Sequence, residues 1–160
     1  AAAEADFAFV QQLVNAVRAI RAEYQVPPNR AVAAHVSGLT PRTRRALEEQ
    51  RGMVLRLAKL SALAQDGSGH GAGAHAVLPE GADLFVALGD AIDVAKECAR
   101  LRGELERLDH QLGALTTKLA NPGFTGRAPA DVVEREREKE RQWTEKRGAL
   151  AAKLASLSCA

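Results

Sequence analysis

From Asp93 onward, apolar residues recur in alternating steps of four and three. The series is Val94, Cys98, Leu101, Leu105, Leu108, Leu112, Leu115 and Leu119. This spacing is typical of the seam of a coiled coil. Asp93 suits the N-cap position, and Glu97 in the first turn complements the positive end of the helix dipole. The pattern therefore predicts a long helix that packs against a helical partner.

A second helix follows a short interruption at residues 121–129. Two prolines and two glycines in that stretch cannot continue a helix but suit a compact turn, and Pro129 opens the next helix. Its seam is weak in the middle, where Glu136, Glu140 and Arg147 fall on or beside it. The apolar seam positions are Val132, Val133, Trp143, Leu150, Leu154 and Leu157. So short a connection makes the two helices antiparallel, each about 35 to 40 Å long.

The first part of the chain has the spacing of a separate amphipathic helix. Apolar residues between positions 7 and 24 fall three and four apart, and Pro27 and Pro28 end the helix near Gln25. A lone helix cannot bury such a stripe. We expect its partners to lie upstream, outside this chain, as they would in a fragment of a longer protein.

Residues 30–89 have shorter patterns that predict a small α/β unit. Strands are expected at 31–36, 60–64, 74–78 and 84–88, with one helix over 41–57. Thr40 can cap that helix, and Pro41 fits its first position. Residues 79–81 resemble a hairpin turn. The expected fold class is α+β: a long antiparallel two-helix coiled coil attached to a small α/β subdomain, with an N-terminal helix. The expected domains are 1–28, 29–92 and 93–160.

A glycine-rich run at residues 66–73 superficially resembles a phosphate-binding loop. Such a loop works because a helix N-terminus follows it, whereas here another strand is expected, so we interpret the run as a surface loop. His70 and His75 are weak evidence for a metal. We expect no metal and no cofactor.

Composition limits the kind of partner. The 22 basic and 20 acidic residues leave a net charge of +2, so a nucleic-acid site must be a local patch. No apolar run reaches the length of a membrane span, and no membrane partner is expected. Cys98 and Cys159 have the spacing of neither a zinc site nor a disulfide framework, which favours a cytoplasmic location.

Basic residues gather on one side of each long helix. Lys96, Arg100, Arg107 and Lys118 share an arc of the first helix away from its seam, and Arg135, Lys139, Lys146 and Lys153 share an arc of the second. Such rows can neutralise RNA phosphates, but a merely solvated face is the more common explanation. At the turn, Phe124 and Arg127 suit stacking on bases or riboses, although Phe124 can equally close the hairpin end.

These residues resemble a known family. The run from Asp93 to Leu105 resembles the start of the C-terminal coiled coil of bacterial valyl-tRNA synthetases. Lys118, Leu119, Ala120 and Asn121, followed by Phe124, Ala128, Pro129, Val132, Val133, Glu136 and Arg137, are similar to that family's hairpin tip and second helix. Residues 17–28 look like the last helix of its anticodon-binding bundle. Gly103 and Gly113, each costing a helix about 1 kcal/mol relative to alanine, depart from a rigid arm.

The resemblance implies tRNA binding without catalysis. The expected partners are valine tRNA, at the outer corner where its D and T loops meet, and the rest of the synthetase chain. The nucleotide-binding signatures of the synthetase are absent, so the chain itself is not expected to be an enzyme. The proposed tRNA-binding residues are Lys96, Arg100, Arg107, Lys118, Phe124, Arg127, Arg135, Lys139 and Lys146. The alternatives are a structural coiled-coil or dimerisation module, and the RNA-elbow-binding arm of another translation factor.

Overall fold

The computed structural model describes residues 1–65, 67 and 69–159. The chain divides into two compact units. Unit 1 contains residues 1–94 and the C-terminal residues from Ser156, and unit 2 contains residues 95–155. Unit 1 combines helices with a sheet, whereas unit 2 is helical. The expected α+β class is confirmed.

Unit 1 is built on a four-stranded sheet. Its elements are helix α1 (Ala2–Glu23), strand β1 (Val32–Ser37), helices α2 (Pro41–Glu49) and α3 (Arg51–Leu57), and strands β2 (Leu60–Gln65), β3 (Gly73–Val77) and β4 (Asp83–Ala87). The strands lie in the order β2-β1-β4-β3. β1 runs parallel to β2, and β4 runs antiparallel to both β1 and β3. All four predicted strands are present, with ends that differ by at most one residue.

The core of unit 1 lies between one face of this sheet and the helices. Alternate residues Val32, Ala34 and Val36 of β1 are buried, as the two-residue period of a strand requires. Helix α1 packs against α2, α3 and β4. Its stripe is buried there, so the expectation that its partners lie outside the chain is wrong. The buried stripe is Phe9, Val10, Leu13, Val14, Val17 and Ile20.

The single helix expected over residues 41–57 is two helices. α2 ends before Gln50, whose φ of −104° and ψ of 11° break the helical path, and α3 begins at Arg51. The start of α2 is as predicted. Thr40 accepts a hydrogen bond at 3.1 Å from the Thr43 amide, and the Thr40 amide donates at 2.9 Å to the Thr43 hydroxyl. This reciprocal pair satisfies two of the amide groups that a helix start leaves unpaired.

The glycine-rich run leads into strand β3, which begins at Gly73, rather than into a helix. Asp66 and Ser68 of that run lie outside the described residues. Packing explains why residue 73 is a glycine. A Cβ atom on Gly73 would lie 2.3 Å from the Phe85 ring and 2.5 Å from the Val86 carbonyl oxygen. The predicted turn between β3 and β4 is a short 3-10 turn at Pro79–Gly81.

The cysteines differ from expectation. Cys98 and Cys159 are both disulfide-bonded, so the expectation drawn from their spacing is wrong. Cysteine usage therefore gives no argument for a reducing compartment. Within the described residues, no helix is both long and apolar enough to cross a bilayer, and no three metal-ligating side chains are grouped.

Candidate nucleic-acid interface

Two helices of 27 residues each, α4 (Val94–Ala120) and α6 (Ala130–Ser156), make up most of unit 2. Each is about 40 Å long at 1.5 Å per residue. The predicted apolar seam of α4 is confirmed, since all its members are buried or half-buried; Cys98, Leu101, Leu108 and Leu115 are the buried ones. Val133 and Leu150 are the buried seam residues of α6. We refer to residues 95–155 as the arm.

The turn between the helices is held by its own hydrogen bonds. It contains one short helical turn, α5 (Pro122–Thr125), which the sequence did not predict. The Asn121 side chain accepts a hydrogen bond at 2.9 Å from the Gly123 amide. The Ala128 amide donates at 2.8 Å to the Phe124 carbonyl oxygen. The turn therefore has a defined shape that fixes where α6 starts relative to α4.

Polar side chains join the helices where the seam of α6 is weak. The Lys118 ammonium lies 3.6 Å from the Glu136 carboxylate. Glu140 accepts a hydrogen bond at 3.2 Å from the Thr116 hydroxyl. Arg147 forms an ion pair with Asp109. Lower residue numbers of α6 thus lie opposite higher numbers of α4. The helices are antiparallel, as predicted.

Another cross-helix pair shows how the two basic rows are arranged. The Lys146 ammonium lies 3.5 Å from a carboxylate oxygen of Glu104. Residues advance about 100° each around a helix, which places Glu104 on the same side of the α4 seam as Arg100 and Arg107. By the same count, Lys146 shares its side of α6 with Arg135 and Lys139. The contact therefore brings both rows to one side of the arm, which we call the basic face.

The other sides of the arm carry a different mixture of charges. Asp109 lies on the flank of α4 opposite Glu104. Around α6, Glu134 and Glu138 lie away from the basic face, and both accept hydrogen bonds from Arg141, at 2.9 and 2.6 Å. The hydrogen bond from Arg141 holds the pKa of Glu138 below its ordinary value. These two carboxylates balance the charge of Arg141, so this side of α6 adds no net positive charge through that arginine.

The cations of the basic face are not equally available. Arg100 is held at 2.6 Å by Glu97 and at 3.3 Å by Glu104, and the hydrogen bond to Glu97 raises its pKa. Arg135 pairs with Asp131 at 3.0 Å. Within the part of the chain that the structure describes, Arg107 makes no ion pair and is exposed. Arg107 therefore has an unbalanced positive charge, whereas the charge of Arg100 is already balanced by two carboxylates.

Two lysines of this face lie over aromatic rings. Lys118 Nζ lies 4.5 Å from the centroid of the Phe124 ring, and Lys139 Nζ lies 4.9 Å from the centroid of the Trp143 ring. Both distances are within the range of cation–π attraction. The structure thus brings two predicted site residues, Lys118 and Phe124, together at the turn. Phe124 is half-buried, so only part of its ring is open to an RNA base.

The remaining predicted site residues, Arg127 and Lys96, are exposed. Arg127 is exposed in the turn, where its backbone amide donates to the Phe124 carbonyl oxygen at 3.2 Å. Lys96 is exposed in the first turn of α4. Sequence reasoning missed the carboxylates that pair with the cations, Glu104 and Glu136, and it treated Trp143 only as a seam residue. The four-residue spacing of Lys139 and Trp143 was the signal that could have revealed their contact.

Comparison with known proteins identifies the region that contains this face. Residues 93–158 match the family model described as the valyl tRNA synthetase tRNA binding arm. This part of the chain is similar to that arm. The valyl-tRNA synthetase resemblance extends upstream, because the chain is 35% identical over 95% of its length to the valine–tRNA ligase of Mesorhizobium japonicum. The corresponding values are 35% over 91% for Geobacillus kaustophilus and 32% over 97% for Bacillus subtilis.

The chain spans about a sixth of the length of these valine–tRNA ligases, between 16% and 18% of each. The predicted relationship to valyl-tRNA synthetases is confirmed for nearly the whole chain. The match to the arm family coincides with α4, the turn and α6, which carry the basic face.

Proposed function

We propose that the arm binds tRNA with its basic face, as a non-catalytic part of a valine–tRNA ligase. The observation that carries this proposal is the contact of Lys146 with Glu104, which places the basic rows of both helices side by side. An RNA backbone lying along the arm then meets cations from both helices. The family match of residues 93–158 gives the same ligand class.

The electrostatics favour binding that depends strongly on salt. Each phosphate neutralised by a lysine or arginine releases condensed counterions, so affinity falls as the salt concentration rises. Arg107 and Lys139 offer their charges without breaking an ion pair of the described residues. Arg100 and Arg135 must first give up part of their ion pairs with nearby carboxylates before they can bind a phosphate. We therefore expect the unpaired cations to account for more of the salt dependence than the paired ones.

The proposed site on the tRNA is its outer corner, where the D and T loops meet. The turn at residues 121–129 presents Arg127 and the Lys118–Phe124 pair, groups that suit riboses and unpaired bases. Binding there holds the tRNA for aminoacylation by the rest of the ligase, and we expect this chain to contribute neither cofactor nor metal. We also propose a cytoplasmic location, because tRNA is charged there.

The test is a titration of the 160-residue chain with labelled valine tRNA at two salt concentrations. We expect intact valine tRNA to bind more tightly than a hairpin containing only its acceptor stem and T arm, because the hairpin lacks the folded corner. An unrelated tRNA shows how far the arm distinguishes valine tRNA. Equal affinity for the hairpin and intact tRNA argues against the corner, and no binding at low salt argues for a structural module.

A matched pair of variants tests the face itself. Arg107→Ala together with Lys146→Ala removes two charges from the basic face, whereas Arg137→Ala with Arg141→Ala removes two from elsewhere on α6. The first pair should weaken tRNA binding at least tenfold, and the second should change it less than twofold, with helicity retained in both. Equal effects would show that the basic face is not the contact surface.

A further inference from the structure

Trp143 differs from the other seam residues of α6. Its side chain is half-buried, and its ring has the Lys139 ammonium above it at 4.9 Å. Lys139 makes no ion pair with any described residue, and its side chain is exposed. One aromatic ring therefore contacts both the seam and a cation of the basic face.

The position of this pair along the arm is informative. On one side, toward the turn, lie Lys118 and Glu136; on the other side, two turns further along α6, lies Lys146 with its partner Glu104. Both of those lysines are held by carboxylates at fixed points. Lys139 lies between them and is held by a neutral ring. Of these three lysines, the middle one is the one that has no carboxylate paired with it among the described residues.

We propose that Trp143 is a positioning residue that holds the Lys139 ammonium in place for an RNA phosphate, an inference that rests on the proposed tRNA-binding function. A free lysine side chain loses much rotamer entropy when it is fixed on a phosphate. An ammonium already resting on an indole face has lost part of that freedom before binding. Because the ring is neutral, the ammonium can pass from the ring to a phosphate without breaking an ion pair.

The alternative is that Trp143 only fills the seam. The two roles predict different couplings. If Trp143 acts through Lys139, its removal matters only while Lys139 is charged. If Trp143 acts through packing, its removal costs the same whether or not Lys139 is present.

The experiment is a double-mutant cycle with Lys139→Gln, Trp143→Leu and the double variant, measured as valine tRNA affinity across a range of salt concentrations. Leucine keeps an apolar seam residue, and circular dichroism checks that helicity is retained. We expect Lys139→Gln to weaken binding about three- to tenfold and to lower the slope of log affinity against log salt by about one. Trp143→Leu should give a smaller loss that disappears in the Lys139→Gln background.

Trp143→Phe provides the rescue. Phenylalanine keeps a ring beneath the ammonium, so most of the affinity lost with leucine should return. Trp143 is also the single tryptophan of the chain, so its emission should change when tRNA draws Lys139 away. Equal losses from Trp143→Leu in both backgrounds, with an unchanged salt slope, would overturn the inference. If wild-type chain binds tRNA and these variants bind equally well, only this inference fails; if wild-type chain does not bind, the proposed function fails with it.

Discussion

Arg147 of α6 and Asp109 of α4 form a two-pronged ion pair across the arm: Nε bonds to Oδ1, and Nη2 lies 3.5 Å from Oδ2. The residues are 38 positions apart, and the pair closes the part of the seam where apolar residues are missing. Both side chains are nearly half exposed, at 47% and 43%. Solvent therefore screens the attraction.

The first prediction concerns the strength of this pair. In a cycle of Asp109→Ala, Arg147→Ala and the double variant, we expect a coupling free energy of about 0.2–1 kcal/mol, the usual value for exposed ion pairs. Chemical denaturation followed by circular dichroism measures it. The coupling should shrink as salt is added. A coupling that does not respond to salt would mean that packing, rather than charge, joins the two side chains.

The second prediction separates two arginines of the same row. Arg100 is held by Glu97 and Glu104, whereas Arg107 has no ion pair among the described residues. We expect Arg107→Ala to weaken tRNA binding several-fold more than Arg100→Ala does, because only Arg107 has an unbalanced charge to offer. Filter binding with labelled valine tRNA measures both. Arg141→Ala, away from the basic face, serves as the control, and a larger effect of Arg100→Ala would contradict this ranking.

The third prediction contrasts two glycines. Gly113 lies in α4, where a Cβ atom added to it would meet nothing within 4 Å, so Gly113→Ala should stabilise the arm by about 1 kcal/mol. Gly73→Ala should instead destabilise unit 1 by about 1–3 kcal/mol, because its Cβ would meet Phe85 and the Val86 carbonyl oxygen. Thermal denaturation compares the two variants with wild type. Two shifts of the same sign would contradict the packing described for Gly73.

The fourth prediction concerns acid. The pKa of Glu138 is lowered by its hydrogen bond from Arg141, so its contribution to stability is fully present above the ordinary glutamate pKa of about 4.3 and is lost as pH falls through the lower, folded value. The melting temperature of the Glu138→Gln variant should therefore fall less than that of wild type between about pH 5 and pH 3, the acid range in which this carboxylate takes up its proton. Glu145→Gln is the control. Identical acid profiles for wild type and Glu138→Gln would refute the effect.

The spacing of apolar residues predicted the helices and strands well, because each kind of element buries side chains at its own regular interval. The four strands, the Thr40 cap and the antiparallel long helices all follow from local spacing. The break at Gln50 was missed, since no proline or adjacent turn signal marks it. The partners of α1 were also missed, because its amphipathic stripe shows that a partner is needed but not which segment supplies it.

The candidate site was less predictable. Sequence periodicity placed Arg100 and Arg107 in the same row, but only the contacts show that Arg100 is held by two carboxylates. Whether the rows of two helices adjoin depends on the register of the hairpin, which the turn at residues 121–129 sets. Trp143 illustrates the same limit, because a seam position does not reveal what covers the exposed side of its ring.

The polar contacts in the weak part of the seam have a consequence for alignment. Shifting α6 by one helical turn along α4 would separate Arg147 from Asp109 and Glu136 from Lys118, and would set charges against leucines. Each contact adds little stability, yet together they penalise every misregistered pairing. In a hairpin lined only by leucines, α6 could pair with α4 in several registers. The distances between the lysines of the two helices would then differ from one register to the next, and no single RNA shape would fit them all.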